Sequence, residues 1–269
     1  MPEISILLLG ETDRPEFCDF RSTLESLGRV SRISEADRAI EVLETGEIIP
    51  DVIVIAQAFP RQFSHGDLDR LRRLAPLSRI LVLLGSWCEG ETRSGQPLPA
   101  VIRIYWHQWH ARAERELRRL IQSQCPSWGL PITATEEERL LASAAQMPPR
   151  GQGLVAIHAG GFATADWLAE ACRTCGYSTA WLRPPHYTQV EGAVAAIFDG
   201  SDLDGEEIEQ LRSLTYALGR TPVIALLDFP RIEDQRRAFE AGAAAVLSKP
   251  LNLDDLYWQL DRVGEVVSE

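Results

Sequence analysis

The chain has 269 residues, 45% hydrophobic and 25% charged, with a formal net charge of −12. This composition excludes a disordered or low-complexity protein and suffices for two domains of about 100–150 residues each. No apolar run approaches the roughly 18–20 residues of a membrane helix, and residues 1–20 lack a basic segment followed by an apolar core, so a cytoplasmic protein without a membrane partner is expected.

Ile4–Leu9 (ISILLL) is a short unbroken apolar run, the pattern of a strand buried on both faces of a parallel sheet. Residues 15–27 read as a helix with Phe17, Phe20, Leu24 and Leu27 on one face and Gly28 as its stop. A strand around Val30–Ile33, a helix over 36–45 and the strand Val52–Ala56 follow. Residues 67–75 are helical in pattern, Arg79–Leu84 is again a buried strand, and Val101–Tyr105 leads into a helix from about Ala111 to Gln122. Strand and helix in alternation predict a parallel sheet covered on both faces.

From Gly153 the scheme restarts. Strands are expected at Leu154–Ile157, Thr179–Leu182, Ala193–Phe198, Pro222–Leu227 and Ala245–Ser248, with helices over 164–175, 205–218, 232–241 and 253–263. The echo of PDVIVIAQ in GAVAAIFD, and of SRILVLLG in TPVIALLD, marks a duplicated domain. The expected division is a first domain over 1–124, a connection over 125–150 with one short helix and a Thr135–Glu138 capping box, and a second domain over 151–269. Residues 126–269 carry 11 basic and 21 acidic side chains, so this half repels phosphate backbones and nucleic acid is not an expected partner. Lys249 is the only lysine among 27 basic residues. Five scattered cysteines, an odd number, argue against a disulfide framework.

Thr221–Leu260 contains the turn Glu240-Ala241-Gly242-Ala243 and the pair Lys249-Pro250 at a fixed spacing from a strand. This stretch resembles the C-terminal half of a bacterial response-regulator receiver domain. Residues 1–124 are similar to the same family more weakly, through PDVIVIA followed by Pro60. The resemblance implies two flavodoxin-like α/β domains, each with a five-stranded parallel sheet of order 2-1-3-4-5, and a site beyond the carboxyl ends of strands 1, 3 and 4. A working receiver has an aspartate ending strand 3, two acids ending strand 1 to hold Mg²⁺, a Ser/Thr ending strand 4 and a lysine ending strand 5.

Carried over residue by residue, Asp199 stands at the phosphoacceptor position and Lys249 at the lysine position. His158 and Ala159 replace the acid pair, Leu227 replaces the Ser/Thr, and the loop after Asp199 is about two residues short for the family pattern. In the first domain Glu11 survives beside Gly10, Ala56 replaces the phosphoacceptor, and Tyr105-Trp106-His107 stands where the lysine belongs. The expectation is a degenerate pair with no catalytic residues, no cofactor and no resident metal, because a lone carboxylate holds Mg²⁺ poorly.

Each domain is also short of one helix, through the glycines and prolines of Gly85–Ala100 and of Arg183–Gly192. The first of these loops and its surroundings carry Trp87, Cys88, Glu89, Glu91, Arg93, Trp106, His107 and Trp109, residue types that anchor interfaces, and they are nominated as a surface for a protein partner. The competing possibility is that the tryptophans cover a sheet face left bare by the missing helix. Cys172-x-x-Cys175 lies near a helix end, away from the N-terminal position that favours a thiolate, and His158-Ala159-Gly160-Gly161 lacks a full phosphate-loop pattern. His186 reads as a solvated loop residue. Three functions are therefore weighed: a non-catalytic signalling adaptor that pairs as a homodimer or binds a protein partner; a regulator still phosphorylated at Asp199; and a ligand or metal sensor using residues 85–110, with Cys88, Glu89 or Glu91 joined by His107 or His110.

Overall fold

The computed structural model describes residues 4–122, 127–131, 133–144, 151–183 and 190–267. The chain divides into two compact units, Met1–Ser143 and Ala144–Glu269. The boundary falls inside the stretch expected as a connection.

The first unit runs β1 (Ile4–Leu9), α1 (Cys18–Leu27), β2 (Gly28–Ile33), α2 (Ala36–Glu44), β3 (Val52–Gln57), α3 (His65–Leu74) and β4 (Arg79–Leu84). A single helical turn α4 (Glu91–Ser94), β5 (Ile102–Tyr105), a π-helical segment Trp109–Ala113, α5 (Glu114–Ile121) and α6 (Glu136–Ala144) follow. The strands form one all-parallel sheet in the order β2-β1-β3-β4-β5. Every residue of β1 and β3 is buried, while β2 is half-exposed along its length. That contrast follows from sequence: ISILLL and VIVIA have no face to offer water and take central places, whereas GRVSRI is left to the edge.

The second unit repeats the plan with β6 (Leu154–His158), α7 (Phe162–Thr174), β7 (Ser178–Leu182), β8 (Ala193–Asp199), α8 (Gly205–Leu218), β9 (Val223–Asp228), α9 (Ile232–Glu240), β10 (Ala243–Lys249) and α10 (Leu253–Val267). Its sheet is β7-β6-β8-β9-β10, all parallel, which is again 2-1-3-4-5 within the unit. Both units thus have the flavodoxin-like, receiver-type fold. The helices start where the capping chemistry is: Ser64 and Asp67 form a reciprocal box on α3, the Asp204 carboxylate accepts from Glu206 N and Glu207 N on α8, and Thr135 exchanges bonds with Glu138 on α6.

The loop Gly85–Ala100 folds down rather than out. Its Cys88 and Leu98 join the core cluster that holds Ile55, Val82 and Leu84, so the loop itself fills the place of the missing helix. The corresponding call on the second unit, over Arg183–Gly192, falls largely on 184–189 and His186, which lie outside the described residues. No helix among the described residues is long and apolar enough to cross a membrane.

Candidate functional site

In the second unit, strand register assembles the carboxyl-end face. Asp199 closes β8, and in β10 Lys249 stands directly beside Asp228 of β9. The Lys249 ammonium Nζ donates to Asp199 Oδ1 at 2.8 Å and lies 3.2 Å from Asp228 Oδ1. Burial works against the lysine charge, but the hydrogen bond and field of Asp199, followed by those of Asp228, outweigh it and raise its pKa above the ordinary value. The cluster is one cation shared by two anions.

The other positions are closed. His158 ends β6 fully buried and stacks on Phe198, ring centroids 4.8 Å apart and planes 11° from parallel. Burial lowers its pKa, against the opposing pull of Asp199, so the ring is neutral at pH 7. Leu227, at the hydroxyl position, is buried in the cluster containing Phe198, Leu203, Ile208 and Leu211. The short loop after Asp199 is fixed by a residue the sequence reading missed: Glu207 accepts from Ser201 N and Leu203 N, each at 2.9 Å, and from Ser201 Oγ at 2.7 Å. Asp202 is exposed. The Mg²⁺ of a working receiver therefore does not fit these residues: a neutral, stacked imidazole stands where acids should, and both available carboxylates already hold an ammonium.

In the first unit the equivalent face is filled. Gly10, directly after β1, has φ 112°, and a Cβ there would sit 2.5 Å from Ala56 O. Glycine is needed for both reasons. Ala56 is buried and Glu11 is exposed, so the two do not form a site. The polar chemistry has moved one residue on. Gln57, buried at the end of β3, donates through Nε2 to Glu91 Oε1 at 2.9 Å, and Arg103 donates to Glu91 Oε2 at 3.1 Å. The Cys88 thiol donates to Gln57 O at 3.4 Å. Burial, and then the charge of Glu91, pushes this thiol up to about 12, which makes it inert at neutral pH. A lone glutamine ending an otherwise apolar strand was the available signal for this network.

These placements correct the nominated partner surface. Cys88, Glu91, Trp106, His107 and Trp109 are all buried, leaving Trp87 and Arg93 exposed and Glu89 partly so. The tryptophans pack inward because the sheet needs cover: Trp109 meets Phe20 of α1 edge-on at 5.3 Å, and Phe20 in turn meets Phe17. Nor do Cys88, Glu89, Glu91, His107 and His110 gather as ligands; among the described residues no three His, Cys, Asp or Glu side chains group closely enough to hold a metal. What remains exposed is an aromatic patch at the carboxyl end of the sheet. Trp87 is 68% exposed, Phe59 lies 6.5 Å from it, and the Arg14 guanidinium sits 4.6 Å over the Phe59 ring.

Buried His107 is pushed down to about 4 by desolvation. Its Nε2 lies 3.9 Å from Glu89 Oε1, too far to offset burial, so the pair is not ionic at neutral pH. The folded pKa is below the unfolded value near 6.5, so the unfolded chain takes up a proton that the folded unit refuses. Stability is therefore full above about pH 6.5 and falls towards pH 4, by up to about 3 kcal/mol from this residue alone. Urea titrations at pH 7 and pH 4.5 should show His107→Gln losing less stability than the parent between the two; parallel losses in both proteins would refute the assignment.

No family model matches the chain, and no curated protein matches it. Solved structures do. A CheY-like receiver domain protein from Methanospirillum hungatei is 19% identical, covering 43% of this chain and 99% of its own, with a TM-score of 0.34. The receiver domain of a signal transduction histidine kinase from Syntrophus aciditrophicus is 22% identical, covering 43% and 92%, with a TM-score of 0.34. A response regulator receiver protein from Pseudoalteromonas atlantica is 15% identical, covering 43% and 99%, with a TM-score of 0.36. The strand order within each unit, rather than these alignments, is what defines the fold.

Proposed function

We propose that the chain is a non-catalytic, cytoplasmic signalling adaptor of two-component type, whose degenerate receiver-fold units bind a protein partner without Mg²⁺-dependent phosphorylation. One observation carries the reading. Lys249 bridges Asp199 at 2.8 Å and Asp228 at 3.2 Å, so the carboxylate that would attack a phosphoryl group already faces an internal cation. A metal would have to displace that ammonium using a β6 strand end that offers only neutral His158. In the first unit Ala56 has no nucleophile at all. Binding is the activity left to such a fold, and the exposed Trp87–Phe59–Arg14 patch has the residue types that anchor protein interfaces.

The test is direct. The full chain, incubated with Mg²⁺ and acetyl phosphate, should show no added phosphoryl mass by intact-protein mass spectrometry. An adduct that disappears in Asp199→Asn would overturn the adaptor reading in favour of a phosphorylated regulator.

A further inference from the structure

At the opposite, amino-terminal end of the first sheet, a cavity of about 340 Å³ opens beside the starts of β4 and β5. Arg72, Arg79 and Arg139 reach it, and Trp128, Ile80 and Leu130 supply much of its apolar wall. Among the described residues no aspartate or glutamate lines it, although the chain as a whole carries 39 acidic residues against 27 basic ones. From this cavity we infer a binding site for a small amphipathic organic anion: a flat apolar body carrying one carboxylate or phosphate group.

The lining divides by chemistry as such a ligand would require. Trp128 and Ile80 are buried, giving a fixed apolar surface for a ring or short hydrocarbon. The cations differ in how far they are already committed. Arg72 donates through one terminal nitrogen to Pro99 O and Ala100 O, which pins the loop before β5, its other terminal nitrogen lies 3.7 Å from the exposed Asp69 carboxylate, and its Nε is buried without a hydrogen-bond partner. Arg139 donates to Pro131 O at 3.0 Å. Arg79 makes no ion pair among the described residues and stands exposed at the start of β4. Three arginines line the cavity and, among the described residues, no carboxylate does, so the lining favours an anion, and guanidinium forks match the oxygens of carboxylate and phosphate. The volume lies at the lower end of the range for small-molecule sites, about 300–1,000 Å³, which favours a compact ligand. This inference is independent of the Asp199–Lys249 cluster.

The experiment titrates the full chain with 1-naphthoate, following the anisotropy of the naphthoate fluorescence, with 1-naphthalenemethanol and inorganic phosphate as competitors. Saturable binding of one naphthoate per chain is expected, with the alcohol and phosphate each competing at least about tenfold more weakly, because each supplies only half of the recognition. Arg79→Ala should weaken naphthoate by about tenfold, and Arg79→Lys by less, since the charge survives. Arg79 is exposed, so both variants keep the fold, which their melting curves check. No saturable binding, full competition by phosphate alone, or equal affinity in Arg79→Ala would each overturn the site.

Discussion

Glu91→Ala is expected to cost the first unit about 3 kcal/mol, because it takes the counter-ion from Arg103 and leaves the buried Gln57 amide with only the weak sulfur acceptor of Cys88, 3.7 Å away. The Glu91 carboxylate is only 3% exposed and is the shared acceptor of Gln57 and Arg103. Removing it leaves a guanidinium without its counter-ion and a buried amide without its oxygen acceptor. Glu91→Gln, which keeps an acceptor and the volume, should cost about half as much. Cys88 provides the readout. Its thiol is fully buried and held near 12, so it alkylates only when the unit opens. Mass-mapped modification of Cys88 in Glu91→Ala should accelerate roughly a hundredfold, the factor that corresponds to about 3 kcal/mol. An unchanged rate would mean that the network does not hold the loop down.

Lys249→Met should destabilise the second unit by about 2 kcal/mol. The substitution keeps a chain of similar length but removes the cation between Asp199 and Asp228, leaving two carboxylates facing one another. The figure is set below that for a fully buried pair because the Asp228 side chain is 54% exposed and water screens it. The same change creates the acidic pair that the parent withholds from metals. Millimolar Mg²⁺ should therefore raise the melting temperature of Lys249→Met while leaving the parent unmoved. If the variant melts like the parent and ignores the ion, Lys249 is not the plug.

The alternation of strands and helices and the buried positions of ISILLL and VIVIA were legible from the hydrophobic runs, while the strand order was implied by the receiver resemblance that Glu240-Ala241-Gly242-Ala243 and Lys249-Pro250 carry. The pairing of Asp199 with Lys249 could be anticipated for the same reason, since both end strands of known order. Side-chain direction in irregular backbone was not legible. Over Gly85–Ala100, residue type alone pointed to a surface, yet Cys88 and Leu98 turn inward and Trp87 outward, because the sheet face lacking a helix must be covered by whatever the loop provides. The role of Glu207 was hidden as well: an acid in the first turn of a helix usually reads as dipole complement, and only the folded loop shows it binding Ser201 and Leu203.

Because its one lysine is engaged inside an ion cluster, this chain presents a surface on which every other basic side chain is an arginine. Amine-reactive acyl groups have a single side-chain target, and that target is raised in pKa and held by two aspartates. The rate at which Lys249 is acylated is thus a built-in gauge of how often the second unit's carboxylates let go of it.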